Sequence, residues 1–168
     1  MIELRRARSD DADFVLALLA DEETAPFLSR RAGASRSDML AEIARSEADP
    51  HAFGWFVFEV DGERAGCVQF ERVNERNRIV EARRFAVEPR FRGRRVGDEG
   101  ARIFVRHLLV DLDFHRVEVQ IYGFNERAIA HAERVGYVCE GVKRKAYMRD
   151  GEWQDAVLFS LLREDLDP

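Results

Sequence analysis

Lysine is almost absent from this sequence: Lys143 and Lys145 are its two examples, and arginine supplies the rest of the 27 basic residues. Such a bias can reflect genome composition, so arginine count alone is weak evidence for any one ligand. Cysteine is as scarce. Cys67 and Cys139 form no CxxC pair, and two cysteines cannot build a metal cage, so no metal is expected and both read as buried free thiols. Long apolar runs are missing, which excludes a helical membrane span. The opening MIELRRARSDDAD lacks the apolar stretch of a secretory signal, so the expected location is the cytoplasm. Repeats, low-complexity tracts and linkers are also missing, and 168 residues suffice for one core, so a single domain over 1–168 is expected.

What is present is globular: 46% hydrophobic and 35% charged residues. The formal net charge of −5 argues against a surface built for nucleic acid, and no aromatic RNA-binding motif appears. The charge is uneven, however. Between Arg83 and Arg106 stand eight arginines (83, 84, 90, 92, 94, 95, 102, 106) against Glu88, Asp98 and Glu99. A local basic block in an acidic chain fits one compact anionic ligand better than a long polyanion.

The pattern along the chain predicts the order βααβββαβαββ. IELRRA reads as a strand, and Ser9 or Asp10 as the cap of a first helix striped by Phe14, Leu16 and Leu18–Leu19. SRSDMLAEIARSEADP reads as a second helix capped by Ser37. HAFGWFVFEV, RAGCVQFERV and RIVEARRFAV form a three-strand meander whose first turn is Asp61-Gly62, the dipeptide tight hairpins prefer. Pro89 cannot donate to a ladder, so the third of these strands stops before it. Ala101, Phe104, Val105, Leu108 and Leu112 recur at helical spacing, giving a helix from about 96 to 112. A strand (HRVEVQIY) and a short helix from Asn125 to Val135 follow, ended by Gly136. Two strands joined by Asp150-Gly151 close the chain. A helix between two strands of one sheet demands a parallel crossover. The fold class is therefore α/β (α+β): a mixed, mostly antiparallel sheet of about seven strands with one parallel crossover and four helices.

The stretch RFRGRRVGDEG, Arg90–Gly100, lies where a strand ends and a helix begins. First-turn backbone N–H groups have no internal partner, and the helix dipole adds positive potential there. Gly93 permits positive φ and close approach, so the turn reads as an anion site suited to phosphate. A Walker loop would need lysine where Asp98 stands, and Arg95 breaks the dinucleotide GxGxxG spacing. Both of those readings fail.

Arg92-Gly93-Arg94-Arg95-Val96-Gly97 resembles the pyrophosphate loop of the GCN5-related N-acetyltransferases (GNAT), with Arg95 replacing the first motif glycine. The resemblance extends to FAVEPRFRG before the loop and to NERAIAHAERVGY after the next strand; the closing hairpin looks like the RimJ/RimL and polyamine acetyltransferase branch. It implies a GNAT fold and an N-acetyltransferase that moves an acetyl group from acetyl-CoA directly to a primary amine: a protein N-terminus, a polyamine or another small amine. It implies pantetheine contacts along Phe85, Ala86 and Val87, pyrophosphate on Arg92 to Gly97, and Asn125 near the pantetheine or thioester. Asn125 also reads as a helix N-cap. Dimers are common among such proteins, so a homodimer fits the resemblance.

Glu81 matches the acid of the family's Glu-x-Arg-Arg-x-x-Val-x-Pro strand and is the candidate general base; an ion pair with a neighbouring arginine is the alternative reading. Strand alternation puts it on one face with Arg83, Phe85 and Val87. Glu22 and Glu23 read as solvated loop acids or as attractors of a cationic acceptor. The family's usual general acid is a tyrosine, and its position here is Ala132. Neighbouring His131 lies about 100° round the helix and reads as a surface histidine. A CoA thiolate can leave without a dedicated acid, so the missing tyrosine does not exclude turnover. It opens an alternative: an acyl-CoA-binding sensor that uses the fold without catalysis.

Overall fold

A computed structural model describes residues 1–28 and 34–166. In chain order the elements are β1 (Ile2–Arg6), α1 (Ala12–Ala20), α2 (Arg36–Ala48), β2 (Phe53–Val60), β3 (Glu63–Asn74), β4 (Ile79–Val87), α3 (Val96–Arg106), β5 (Arg116–Tyr122), α4 (Glu126–Val135), β6 (Val138–Arg149) and β7 (Glu152–Leu162). The seven strands form one sheet in the order β1-β2-β3-β4-β5-β7-β6. Every neighbouring pair is antiparallel except β4 with β5. The predicted order and the single parallel crossover, through α3, are both present.

Local sequence accounts for the turns. Asp61 and Gly62 have φ of 51° and 82°, and Asp150 and Gly151 have 49° and 83°. Positive φ at both central residues is the turn geometry whose twist matches paired strands. At the start of α2, Ser35 rather than Ser37 is the cap. Its Oγ accepts from Asp38 N at 3.2 Å while Asp38 Oδ2 accepts from Ser35 N at 2.9 Å. The reciprocal pair satisfies two open donors, which the expected Ser37, two residues inside the helix, cannot do. At the start of α1 the N-cap position is Asp11 and not Ser9 or Asp10, and its side chain bonds no N–H of α1. Asp11 accepts from Arg8 N at 2.7 Å and from the guanidinium groups of Arg5 and Arg64. Burial raises its pKa, but those donors reverse the effect and leave it below the ordinary value.

The sheet separates two cores. On one face α1 and α2 cover Phe53, Trp55, Val57 and Cys67. On the other, α3 covers Phe56, Phe70, Val80 and Val117, and α4 covers Ile121 and Phe159. Strand β2 is buried on both faces, which is why its sequence is a continuous apolar run and not an alternation. The third predicted helix ends differently from expectation. After Arg106 the chain widens into a π-type turn over His107–Asp111, with Leu112 N bonded to His107 O at 3.0 Å. Apolar spacing alone cannot distinguish that turn from α-helix. Cys139 is exposed, contrary to expectation, because it lies on the outer strand β6; Cys67 is buried.

Two features position the site. The parallel pairing of β4 with β5 covers only Ile79–Glu81 against Arg116–Glu118. Beyond it the strands diverge, and the rest of β4 is unpaired on that side. The second feature is a bulge. Cys67 pairs with Ala86 and Gln69 with Arg83, so β4 holds one residue more than β3 over this stretch, and Arg84 has φ of 50°. The bulge reverses the alternation. Glu81 and Arg83 therefore share a face with Glu71, the face that carries α1 and α2 further along. Phe85 and Val87 pack toward α3. The expectation that all four share one face fails at Arg84.

Candidate active site

Where β4 and β5 part, a cleft of ≈ 860 Å³ opens through the sheet. Phe85, Ala86 and Val87 line one wall, Gly93, Arg95 and Gly97 line the end near α3, and Asn125 lies on the α4 side. Glu81 and Gln120 reach it from the opposite face. Of the residues singled out from sequence, Arg94 and Val96 do not line it. Arg94 is exposed, and Val96 is buried beneath the turn with Phe58 and Phe91.

The turn before α3 is built from left-handed residues. Gly93 has φ of 75°, and Arg95, the residue preceding α3, has φ of 60° and ψ of 5°. An arginine thus adopts the conformation a glycine would take more easily, and the backbone path is kept. The first-turn N–H groups of α3 then face outward without intrahelical acceptors. Gly97 allows α3 to sit close to β4: a Cβ there would lie 3.2 Å from Val87 Cγ2 and 3.7 Å from the Phe85 ring.

Arg92 is committed elsewhere. Its guanidinium donates to Glu23 Oε2 at 2.5 Å, Asp21 Oδ1 at 2.7 Å and Thr24 Oγ1 at 3.0 Å, and its Nε to Val87 O at 2.9 Å. It ties the segment after α1 to the end of β4, and what remains to an anion is its backbone. Glu23 is thereby an ion-pair partner and not a free solvated acid.

Asn125 fills the expected N-cap role. Its Oδ1 accepts from Ala128 N at 3.1 Å, capping α4. The residue is buried, yet its amide NH₂ has no partner among the described residues and faces the cleft. Ala132 is buried in the core against Ile121 and Phe159, with no hydroxyl to offer.

Sequence reasoning underestimated His131. Its Nδ1 lies 2.7 Å from Asp98 Oδ1, and its ring stacks on Phe85 at 5.0 Å. Burial holds its pKa below the ordinary histidine value, with Asp98 opposing, and Arg134 together with His131 pulls Asp98 down to about 2. This pair clasps the N-terminus of α3 to α4. Its signal lay in the helix offset, since a residue 100° from the core line sits at a helix flank that can still face a neighbouring helix.

On the opposite face Glu81 accepts from Arg83 Nε at 2.9 Å and from Gln120 Nε2 at 3.3 Å, while Arg83 also reaches Glu71 at 2.5 Å. Gln120 Oε1 accepts from Tyr147 Oη at 2.6 Å and from Lys143 Nζ at 3.1 Å. Tyr122 stacks on Phe124 at 5.1 Å, and Phe27 lies 6.1 Å from Phe124. Gln120, Tyr122 and Tyr147 were not anticipated. Alternation along HRVEVQIY would have put Gln120 and Tyr122 on the Glu118 face, but nothing short of the sheet order brings Tyr147 to them.

The acetyltransferase (GNAT) domain family matches residues 2–138. Among curated sequences, the SPbeta prophage-derived uncharacterized N-acetyltransferase YokL of Bacillus subtilis (strain 168) is 23% identical over 76% of this chain and 72% of its own length. The spermidine N(1)-acetyltransferase of Escherichia coli (strain K12) is 24% identical over 64% of this chain, and the match spans 58% of that enzyme, less than two thirds of it. Among solved structures, spermidine N-acetyltransferase from Vibrio cholerae in complex with CoA and spermine superposes with a TM-score of 0.85 at 19% identity, covering 98% of this chain and 96% of that one. Mycobacterium smegmatis RimJ in complex with CoA-disulfide gives 0.86 at 21%, covering 99% and 84%. With a family match over most of its length and the corresponding fold, the chain belongs to the acetyl-CoA-dependent GNAT N-acetyltransferases.

Proposed function

We propose that this chain acts as one acetyltransferase domain that moves the acetyl group of acetyl-CoA directly to a primary amine. The observation that carries the reading is the divergence of β4 from β5. It leaves the backbone edge of Phe85–Val87 without a partner on that side, leading to the left-handed turn at Gly93–Arg95. An unpaired edge supplies alternating donors and acceptors to the amides of a pantetheine arm. The turn and the start of α3 supply N–H groups to its pyrophosphate through Arg92–Gly97. The free amide of Asn125 is available to the pantetheine or the thioester carbonyl.

The amine enters from the Glu81 face. Its nitrogen attacks the thioester carbon, the C–N bond forms and the C–S bond breaks. The ammonium proton passes to Glu81 directly or through water, and CoA leaves as a thiolate that solvent protonates. A base is worth most for a strongly basic acceptor: at pH 7 an alkyl amine of pKa about 10.4 costs roughly 4–5 kcal/mol to deprotonate, an α-amine near 8 about 1–1.4 kcal/mol. Release of free thiol from acetyl-CoA with an amine panel tests the reaction. Glu81→Gln is expected to lower turnover most at low pH while acetyl-CoA affinity holds; equal rates across pH would remove Glu81 from the mechanism.

Two observations favour a second reading, an acyl-CoA sensor without turnover. Ala132 brings no acid to the leaving thiolate, and Glu81 is already engaged by Arg83. Tight acetyl-CoA binding without thiol release across the whole panel would favour it.

A further inference from the structure

Among the described residues, each of the three carboxylates that line the cleft is bound to an arginine. Glu81 pairs with Arg83 at 2.9 Å, Glu23 with Arg92 at 2.5 Å, and Asp98 with Arg134 at 2.9 Å. Glu71, beside Glu81 on the same face, is shared by Arg83 and Arg45. A polycation held by such a mouth would have to displace a guanidinium from its carboxylate, at a cost an uncharged chain avoids.

The other means of holding an ammonium group is the face of an aromatic ring. That too is taken. The guanidinium of Arg149 lies 5.3 Å from the centroid of Tyr122 and 6.0 Å from that of Phe124. It is anchored by Leu28 O at 2.9 Å. Arg149 therefore holds a fixed positive charge at the acceptor mouth, with Lys143 on Gln120 adding a second. What the mouth still offers among the described residues is apolar or neutral: the exposed Phe27 and Phe124, the second N–H of the Gln120 amide and the lone pairs of the Tyr147 hydroxyl.

We propose that the acceptor is the α-amine at the N-terminus of a peptide chain with uncharged leading residues, and that Arg149 excludes polyamines. The inference rests on the acetyltransferase reading above and narrows its acceptor. The chemistry agrees with the charge argument. Glu81 is held by Arg83 and Gln120, and an α-amine, neutral far more often at pH 7 than an alkyl amine, makes the smaller demand on it as a base. The peptide amides that follow it find the Gln120 carboxamide and the Tyr147 hydroxyl.

The full-length protein is assayed with acetyl-CoA against lysine-free tetrapeptides with a free N-terminus, the same peptides with a blocked N-terminus, and spermidine. The free peptides are expected to exceed spermidine by about 100-fold or more in kcat/KM at pH 7.5, with blocked peptides inert. Part of that preference is intrinsic to the amines, so Arg149→Met and Arg149→Glu isolate the part due to the site. Both are expected to raise kcat/KM for spermidine about tenfold relative to the peptide, with KM for acetyl-CoA and the circular dichroism spectrum unchanged. Spermidine preferred over the peptides by the parent protein would overturn the inference while leaving the acetyltransferase reading intact. So would a ratio that neither substitution moves in a folded variant. No thiol release with any acceptor would overturn both.

Discussion

Arg95 occupies a left-handed conformation that costs an L-residue about 1–2 kcal/mol, and glycine almost nothing. Its side chain has no hydrogen-bond or ion-pair partner among the described residues, so nothing local repays that cost. If the anion is held by the backbone of the turn, the side chain is dispensable. Arg95→Gly is then expected to change stability by less than about 1 kcal/mol, strain relief offsetting the greater freedom of the unfolded chain. Acetyl-CoA affinity should stay within about threefold, as calorimetric titration would measure. Gly97→Val is expected to do the opposite, because its Cβ would meet Val87 Cγ2 at 3.2 Å and the branches beyond it would push α3 off β4. Acetyl-CoA affinity should fall at least about tenfold. If Arg95→Gly abolished binding and Gly97→Val did not, the guanidinium and not the backbone would be the anion receptor.

At the scale of elements, much was legible because punctuation and period agreed. The two Asp-Gly turns, Pro89 and Gly136 mark ends at which the residue type permits only a few backbone conformations. The apolar residues of β2 and α3 specify which faces are buried. The bulge in β4 was not legible, because it needs positive φ at Arg84, a residue with no preference for it, and is imposed by pairing with β3 and by the Arg84–Glu42 contact at 3.2 Å. This missed detail shapes the cleft, since it turns Glu81 toward Gln120 while Phe85 and Val87 face α3. The cap at Ser35 and the π-type turn after Arg106 were missed for a related reason: competing local geometries share one sequence pattern. Arg84→Val is the corresponding test. A β-branched residue resists left-handed φ and loses the contact to Glu42, so a loss of about 2–3 kcal/mol is expected in urea denaturation. If the strand instead straightens to restore alternation, stability holds and turnover collapses because Phe85–Val87 change face. Arg84→Gly, which accepts the bulge, should retain turnover.

Across the whole molecule, the arginine block seen in the sequence divides into two groups, apart from Arg102, which donates to Arg134 O. Arg83, Arg84, Arg90 and Arg92 are each paired with carboxylates and hold segments together. Arg94, Arg95 and Arg106, joined from α4 by Arg127, have no ion-pair partner among the described residues. An acidic protein of net charge −5 thus keeps unpaired positive charge at the cleft, at Arg95 and Arg127, while the cleft carboxylates among the described residues are neutralised. Such a field acts through water and is screened over about 10 Å at 0.1 M salt, whereas hydrogen bonds from the turn backbone are not. Raising sodium chloride from about 0.02 to 0.5 M should therefore weaken acetyl-CoA binding several-fold, on the order of five to tenfold, without abolishing it. The KM of a neutral-sided peptide acceptor should change little, because no counter-charge attracts it. A salt-independent donor affinity would assign the whole of anion binding to the backbone and leave the unpaired arginines as solvated surface. A loss of 100-fold or more would instead make long-range charge the main hold on the donor and the turn a minor one.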